Sequence, residues 1–254
     1  MTLAVDVIGR GPNLTMLHGW GLNGAVWSGV RDALAERYTL HIIDLPGHGQ
    51  SQATGITTLT AMVDAVARAM PKYTHVLGWS LGGQVALEVA RCHADRVNRL
   101  VLVATTPCFL QRDNWPHAVL PGVLADFGAR LSNNYAATIR NFLALQVLNQ
   151  PNMRDIMTKL QQAVTARGDV DPGALAAGLA ILESTDLCAR LQKILQPSMV
   201  LQGDHDALTP EPAGRWLANH LPQARYVMMA HAAHAPFLSH KEAFLFNLNG
   251  FLAR

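Results

Sequence analysis

The sequence contains few cysteines, few charged residues and no long apolar run, and each shortage excludes a class of protein. Three cysteines, widely spaced in 254 residues, do not indicate a disulfide framework. Charged residues make up 15% of the chain, against roughly 25% in an average soluble domain. Because 50% of the residues are hydrophobic, the composition excludes intrinsic disorder, which combines few apolar residues with a strong charge imbalance.

The sequence also lacks the features of membrane, exported and nucleic-acid-binding proteins. No apolar run approaches the roughly 18–20 residues that span a bilayer, and the N-terminal segment shows neither a basic flank nor an apolar signal region. With 20 basic against 18 acidic residues, the net charge of +2 argues against general binding of nucleic acid. We therefore expect a cytoplasmic globular protein, in contact with neither nucleic acid nor membrane, and we expect a monomer.

Short apolar runs alternate with amphipathic helical patterns in the first hundred residues and again near the end of the chain. This alternation is typical of a mostly parallel sheet with helices on both faces, so we predict an α/β fold. The predicted strands lie at 13–17, 39–43, 74–79, 99–104, 198–203 and 225–229, and the predicted helices at 24–37, 57–70, 81–93, 211–220 and 240–253.

The alternation stops between residues 108 and 186. This segment has no strand-like run but contains helical patterns, notably at 135–148 and 153–165. A long insertion between the strands of an α/β fold is most often a lid over a site. We therefore predict a core made of residues 1–107 and 187–254, with a helical lid at 108–186.

The most specific motif is Gly78-Trp79-Ser80-Leu81-Gly82, which lies between a predicted buried strand and a predicted helix. A serine at such a sharp turn has a strained backbone and an exposed hydroxyl, and the flanking glycines let strand and helix approach. The short pattern also occurs by chance in glycine-rich turns, but the strand–turn–helix context favours Ser80 as a nucleophile.

A serine nucleophile needs a base, and the base needs a carboxylate to orient it. Where this motif carries a nucleophile, the chain order is serine, acid, histidine. Asp204 and Asp206 both follow the predicted strand 198–203, and His231 and His234 both follow the last predicted strand. An aspartate in such a turn often only bonds its own backbone.

An oxyanion site requires two backbone N–H donors. Leu81, directly after the nucleophile, supplies one, and Trp20, in the glycine-containing loop after the first predicted strand, supplies the other. Each such donor stabilises a transition state by about 2.7–4 kcal/mol. Without Ser80, the loop would be equally well explained as a turn with a core tryptophan.

Four segments together resemble the α/β-hydrolase superfamily in order and spacing: 18–21, 44–49, 78–83 and the pair Asp206 and His234. The resemblance covers the whole chain. It implies that Asp206, in the turn Asp206-Ala207-Leu208-Thr209-Pro210, is the acid rather than Asp204. It also implies that His234, followed by Ala235-Pro236-Phe237, is the base.

Within that superfamily, segments 18–23, 78–83, 142–146 and 232–237 resemble a family of carboxylesterases of biotin biosynthesis. The resemblance implies hydrolysis of the methyl ester of a pimeloyl chain carried on acyl carrier protein, with release of methanol and without a metal or organic cofactor. It implies that small esters are also substrates. The implied substrate contacts are Trp20, Ser80, Leu81, Phe142, Leu143, Ala144, Leu145, Gln146 and His234.

The charge of the predicted lid also points to such a partner. Between residues 130 and 167 there are five basic residues and one acidic residue, Asp155. Acyl carrier proteins are acidic, so we predict docking on Arg130, Arg140, Arg154 and Lys159, with Arg167 adding to the positive field. Relatives place arginines where this chain has Ala137 and Asn141, so the contacts must differ in detail. A solvated helical face is the alternative explanation.

Three other functions remain open from the sequence. A general carboxylesterase for small esters and a hydrolase of carbon–carbon bonds would use the same three residues. A binding protein that keeps the fold without catalysis would not need Ser80, Asp206 and His234 together. Dehalogenase and epoxide hydrolase chemistry is disfavoured, because those relatives have an aspartate at the position of Ser80.

Overall fold

The computed structural model describes residues 2–52, 55–150, 152–168 and 170–253. Its centre is a seven-stranded sheet with the spatial order β1-β3-β2-β4-β5-β6-β7. The first strand pairs antiparallel with β3, and all other pairs are parallel. The strands are β1 (Val5–Ile8), β2 (Asn13–Leu17), β3 (Thr39–Ile43), β4 (Thr74–Trp79), β5 (Val97–Val103), β6 (Ser198–Gly203) and β7 (Ala224–Met229).

The six predicted strands are confirmed, and β4 is buried at every position, as a central strand covered on both faces must be. The sequence prediction missed β1. This strand has four residues, lies at the edge of the sheet and contains no fully buried side chain. It therefore carries neither the continuous apolar run of a central strand nor a clear alternation.

Helices cover the sheet, so the predicted α/β class is confirmed. The first predicted helix is divided into a 3₁₀ turn, Gly24–Trp27, and a shorter α-helix, and the last predicted helix is preceded by a separate short one. The helices of this layer are α1 (Ser28–Ala35), α2 (Leu59–Ala69), α3 (Leu81–Cys92), α8 (Glu211–His220), α9 (Pro236–Ser239) and α10 (Lys241–Leu252), numbered along the whole chain. Helix α1 packs against α9 and α10, and α2 packs against α3.

Four helices lie between β5 and β6: α4 (Pro121–Asn133), α5 (Tyr135–Leu145), α6 (Met153–Thr165) and α7 (Pro172–Ser184). Helix α4 packs against α5, and α5 packs against α6. Helix α7 packs against α4. The division into a core, 1–107 and 187–254, and a helical lid, 108–186, stays a prediction. None of the helices within the described ranges is both long and apolar enough to cross a membrane.

Buried polar contacts fasten these four helices to the core beside the motif loops. The amide of Asn23 donates to the carbonyl of Ala163 at 2.7 Å, near the end of α6. Arg167 forms an ion pair at 3.2 Å with the fully buried Asp44 and a second one with Asp6. Burial lowers the pKa of Arg167, but the two carboxylates outweigh it, so the pKa lies above its ordinary value. The helical segment between β5 and β6 is therefore held to the loops that follow β2 and β3.

Candidate active site

Ser80 lies at the turn between β4 and α3 with φ 55° and ψ −120°. A positive φ is uncommon for a residue with a side chain and costs about 1–3 kcal/mol. A Cβ at Gly78 would lie 2.2 Å from the carbonyl oxygen of Gly82, and a Cβ at Gly82 would lie 2.5 Å from the carbonyl oxygen of His18. Only glycines therefore allow this approach of strand, helix and loop.

The backbone around Ser80 is fixed on both sides. Its N–H donates to the carbonyl of Val103 at 3.0 Å, and its carbonyl accepts the Thr105 hydroxyl at 2.7 Å and the Gly83 N–H at 2.9 Å. These bonds resist relaxation of the strained turn, so the backbone of Ser80 is held at the N-terminus of α3. The partial positive charge of that terminus favours a developing anion.

Asp206 and His234 form a buried pair. Nδ1–H of His234 donates to Oδ2 of Asp206 at 2.8 Å, and both side chains are almost fully buried. Asp206 also accepts hydrogen bonds from the N–H groups of Leu208 and Thr209, the Thr209 hydroxyl and the Gln202 amide. Burial raises the pKa of the carboxyl, but His234 and the two Thr209 donors outweigh it and hold the pKa below its ordinary value. Asp206 is therefore an ionised acceptor that fixes the imidazole.

The alternatives Asp204 and His231 lie outside this buried pair. His231 is exposed and Asp204 is partly exposed. The other ring nitrogen of His234, Nε2, is also buried. It forms no hydrogen bond with any described residue. The ring of Trp79, the residue before Ser80, lies 5.6 Å from that of His234, and its indole N–H donates to the His234 carbonyl. The two loops are thus joined next to the serine.

The loop that carries Trp20 lies directly against Ser80. A Cβ at Gly19 would lie 3.2 Å from the Cβ of Ser80, so this position must remain small. The Trp20 indole N–H donates to the carbonyl of Leu175 at 2.9 Å, which fixes the side chain under α7. Leu81 is the first residue of α3, so its N–H has no acceptor within the helix. The backbone N–H groups of Trp20 and Leu81, predicted as oxyanion donors, therefore lie in segments adjacent to the serine.

Two buried histidines, His18 and His48, hold this loop, and neither has a role predicted from the sequence. Nδ1–H of His18 donates to the Gly19 carbonyl at 2.8 Å, and its Nε2 accepts the Leu45 N–H at 2.9 Å. His48 accepts the Gly21 N–H at 3.4 Å. Burial, followed by the neighbouring His48, lowers the pKa of His18 to about 3. The available signal was the position of both histidines inside the glycine-containing turns 18–21 and 44–49 that carry the resemblance, which indicates segments but not contacts.

We expect acidification to destabilise the protein through His18. Its folded pKa of about 3 lies below the ordinary value of about 6.5 in an unfolded chain. The unfolded state therefore binds more protons between these values, so the stability present above pH 6.5 is lost as the pH falls towards 3. Linkage gives a loss of about 2 kcal/mol between pH 7 and pH 5 from this group. Urea unfolding at both pH values measures it.

The control for this prediction is the same urea measurement on His117→Gln, because His117 is a partly exposed histidine before α4. This variant should keep the pH-dependent loss, whereas His18→Asn should remove the part of it that comes from His18, about 2 kcal/mol. An equal free energy of unfolding at pH 7 and pH 5 in the unsubstituted protein would contradict the assignment.

An apolar cavity of about 310 Å³ opens above Ser80. The rings of Phe127 and Phe142 pack against Trp20 at centroid distances of 5.4 and 5.1 Å. No lining residue carries a charge, and Ser80 is the one hydroxyl among them. The lining residues are Trp20, Ser80, Phe109, Val119, Val123, Leu124, Phe127, Phe142, Leu145, Leu179, Leu182, Ala207 and Leu208.

The predicted substrate segment 142–146 divides between two environments. Phe142 and Leu145 line the cavity, whereas Leu143 lines a different cleft, between α5 and α6. Ala144 and Gln146 are not among the lining residues. A helix rotates about 100° per residue, so a continuous five-residue segment cannot present every side chain to one cavity. Phe109 and Phe127 line the cavity but were not predicted, because nothing in their local sequence distinguishes them from core residues.

The predicted docking residues Arg130, Arg140, Arg154 and Lys159 are all exposed on α4, α5 and α6. Arg167 was counted in the positive field, and this part of the prediction is wrong, because its charge is neutralised by Asp44 and Asp6. Its side chain is 13% exposed. The field available to a partner is therefore smaller than the sequence count indicated.

The chain belongs to the α/β-hydrolase fold family, whose sequence profile matches residues 12–241. It is 40% identical to the pimeloyl-[acyl-carrier protein] methyl ester esterase of Nitrosomonas europaea over 244 residues, 96% of this chain and 97% of the relative. It is 41% identical over 232 residues to the protein of the same name from Salmonella enteritidis, covering 91% of this chain and 90% of the relative.

Solved structures show the same fold. An esterase from Exiguobacterium antarcticum superposes with a TM-score of 0.91 at 21% identity, covering 99% of this chain and 96% of that one. An enol-lactonase from Burkholderia xenovorans gives a TM-score of 0.85 at 21% identity, with coverage of 99% and 96%. Together, the family and its named relatives identify the chain as a carboxylic ester hydrolase.

Proposed function

We propose that this protein is a cytoplasmic serine esterase that hydrolyses the methyl ester of a pimeloyl chain carried on acyl carrier protein, a step of biotin biosynthesis. The observation that carries the proposal is a strained serine at the base of an uncharged cavity, beside a buried Asp206–His234 pair. The relatives at about 40% identity, which bear this activity in their names, supply the substrate.

In this mechanism Ser80 attacks the ester carbonyl while Nε2 of His234 takes the hydroxyl proton. The N–H groups of Trp20 and Leu81 stabilise the oxyanion of the tetrahedral intermediate. His234 then returns its proton to the departing methoxide, which leaves as methanol. Water, deprotonated by His234, attacks the acyl-enzyme and releases the free carboxylate, so that the enzyme ends in its starting state.

The cavity lining supports a methyl ester rather than a free acid as the bound form. A methyl ester is neutral and can enter a site lined by aromatic and aliphatic side chains. A carboxylate in the same place would lose its hydration without gaining a cationic partner, which is strongly unfavourable. The product therefore leaves more readily than the substrate, and hydrolysis is not opposed by tight binding of the carboxylate.

The outer surface of α4, α5 and α6 supports an acidic carrier. Four exposed basic residues, Arg130, Arg140, Arg154 and Lys159, stand against two acidic ones, Asp126 and Asp155. Arg140 is on the same helix as Phe142 and Leu145, which line the cavity. A carrier bound to this face would therefore present its acyl chain close to the cavity.

We predict that Arg140→Glu combined with Lys159→Glu lowers kcat/KM for the carrier-linked methyl ester by about tenfold or more, because exposed charges steer association. The same variant should hydrolyse a free short methyl ester within about twofold of the unsubstituted rate, because neither residue lines the cavity. Steady-state kinetics on both substrates at low salt measures the difference.

The control carries the same reversal of two charges on another face, Arg68→Glu with Lys72→Glu. Arg68 is in the last turn of α2 and Lys72 follows that helix, and both are exposed. Unchanged activity on the carrier-linked ester in this control, with loss in the lid variant, supports docking on α5 and α6. Equal losses on the carrier-linked and the free ester would instead favour a general carboxylesterase for small substrates.

A further inference from the structure

Three metal-ligating side chains meet on the surface beside the catalytic loops. Asp204 and His205 directly follow β6, and His231 follows β7. One potential ligand atom from each side chain lies within 4.8 Å of the other two. The His205 and His231 rings are 5.5 Å apart between centroids. None of the three residues lines the cavity above Ser80, so the cluster is separate from the proposed ester site.

The backbone holds the two loops of this cluster in fixed register. The N–H of His205 donates at 3.0 Å to the carbonyl of Ala232, the residue that follows His231. The N–H of Asp204 donates to the carbonyl of Met229 at 3.4 Å. The loop pairing therefore holds the backbone of these three positions close together.

Asp204 provides a second, independent indication of a ligand. Its Oδ1 atom is buried and has no hydrogen-bond partner among the described residues. A buried carboxylate oxygen normally has a donor or a cation beside it, since leaving it unsatisfied is costly. A cation held with the two imidazoles would meet this requirement.

The donor set defines the class of ion. Two imidazoles and one carboxylate suit zinc, nickel, cobalt and copper, whereas magnesium and calcium prefer oxygen ligands. Ligand atoms on a tetrahedral zinc ion lie roughly 3.4 Å apart, as its bond lengths of about 2.0–2.2 Å require. A separation of at most 4.8 Å can close to this value by small side-chain rotations, because both imidazoles are exposed.

We propose that Asp204, His205 and His231 bind a divalent transition-metal ion of the zinc class, with water completing the coordination. The ion joins the loop that holds Asp206 to the loop that holds His234. It therefore stabilises the relative position of these two loops and takes no part in ester chemistry. Binding to the folded state should stabilise it.

Titration calorimetry of the whole chain with zinc chloride, after treatment with a chelator and its removal, tests the site. We expect His231→Asn to weaken zinc binding at this site at least tenfold, and asparagine tolerates the positive φ of 62° at this position. His205→Gln should have the same effect. Zinc at about a hundredfold excess over its dissociation constant should raise the Tm of the unsubstituted protein by about 5 °C or more.

His117→Gln is the matched control, because this histidine lies before α4, outside the cluster. It should retain both the zinc affinity and the Tm shift. Melting of each variant without zinc establishes that it is folded. If His231→Asn and His205→Gln bind zinc as tightly as the unsubstituted protein, or if zinc does not bind at all, the proposal is wrong. Ester hydrolysis in the presence of a chelator should continue in either case.

Discussion

Replacement of Ser80 by alanine should lower kcat for ester hydrolysis by about 10⁵- to 10⁶-fold, since no acyl-enzyme can form without the hydroxyl. Binding and the oxyanion donors remain, so KM should change little. The fold should also remain, because the turn is held by backbone bonds from Ser80 to Val103 and Thr105. Alanine meets the same steric cost as serine at φ 55°. Steady-state kinetics on a methyl ester measures the loss.

The control for this variant is Ser132→Ala. Ser132 is an exposed serine of α4, whose hydroxyl donates to the carbonyl of Gly128. Its kcat should stay within about twofold of the unsubstituted value. A serine-directed phosphonate should label the unsubstituted protein and Ser132→Ala but not Ser80→Ala. Substantial turnover by a folded Ser80→Ala protein would show that Ser80 is not the nucleophile. The prediction of a serine esterase would then be wrong.

The sheet could be predicted because its strands carry strong local signals. Each of the six predicted strands is an apolar run next to a glycine or proline turn, and burial on both faces gives β4 a continuous apolar sequence. The edge strand β1 and the helices α4 and α7 lack such signals. Gly122, Gly128 and Gly178 lie within these two helices, and glycine weakens a helical pattern although packing accepts it. At Gly178 a Cβ would lie 2.6 Å from the Trp20 ring.

The candidate site could be predicted only as far as its motifs extend. Ser80 with its flanking glycines is a local pattern with a steric cause, so residue type and spacing were sufficient. The pairing of Asp206 with His234 bridges residues far apart in the chain, and the residues alone left Asp204 and His231 open until the resemblance was used. Contacts such as that of Phe127 with Trp20 depend on how the helices between β5 and β6 pack. No periodicity within one helix contains that information.

Replacement of Asp206 by asparagine should lower kcat by about 10⁴-fold with little change in KM. The carboxylate accepts Nδ1–H of His234 at 2.8 Å, which leaves Nε2 unprotonated to receive the serine proton. An amide has one acceptor oxygen, so its NH₂ group would face either the N–H groups of Leu208 and Thr209 or the Gln202 amide. The imidazole then loses its orientation and its preferred tautomer.

The decisive comparison is with Asp204→Asn, assayed in a chelator so that no metal ion contributes. Asp204 is two residues away on the same loop and makes no hydrogen bond to His234 among the described residues. We expect kcat within about twofold of the unsubstituted value for this variant. A merely structural role of Asp206 would lower the amount of folded protein, and active-site titration corrects for that. A 10⁴-fold loss per titrated site therefore assigns Asp206 to the orientation of His234. A comparable loss in Asp204→Asn would instead show that the loop as a whole is required, and not the buried carboxylate.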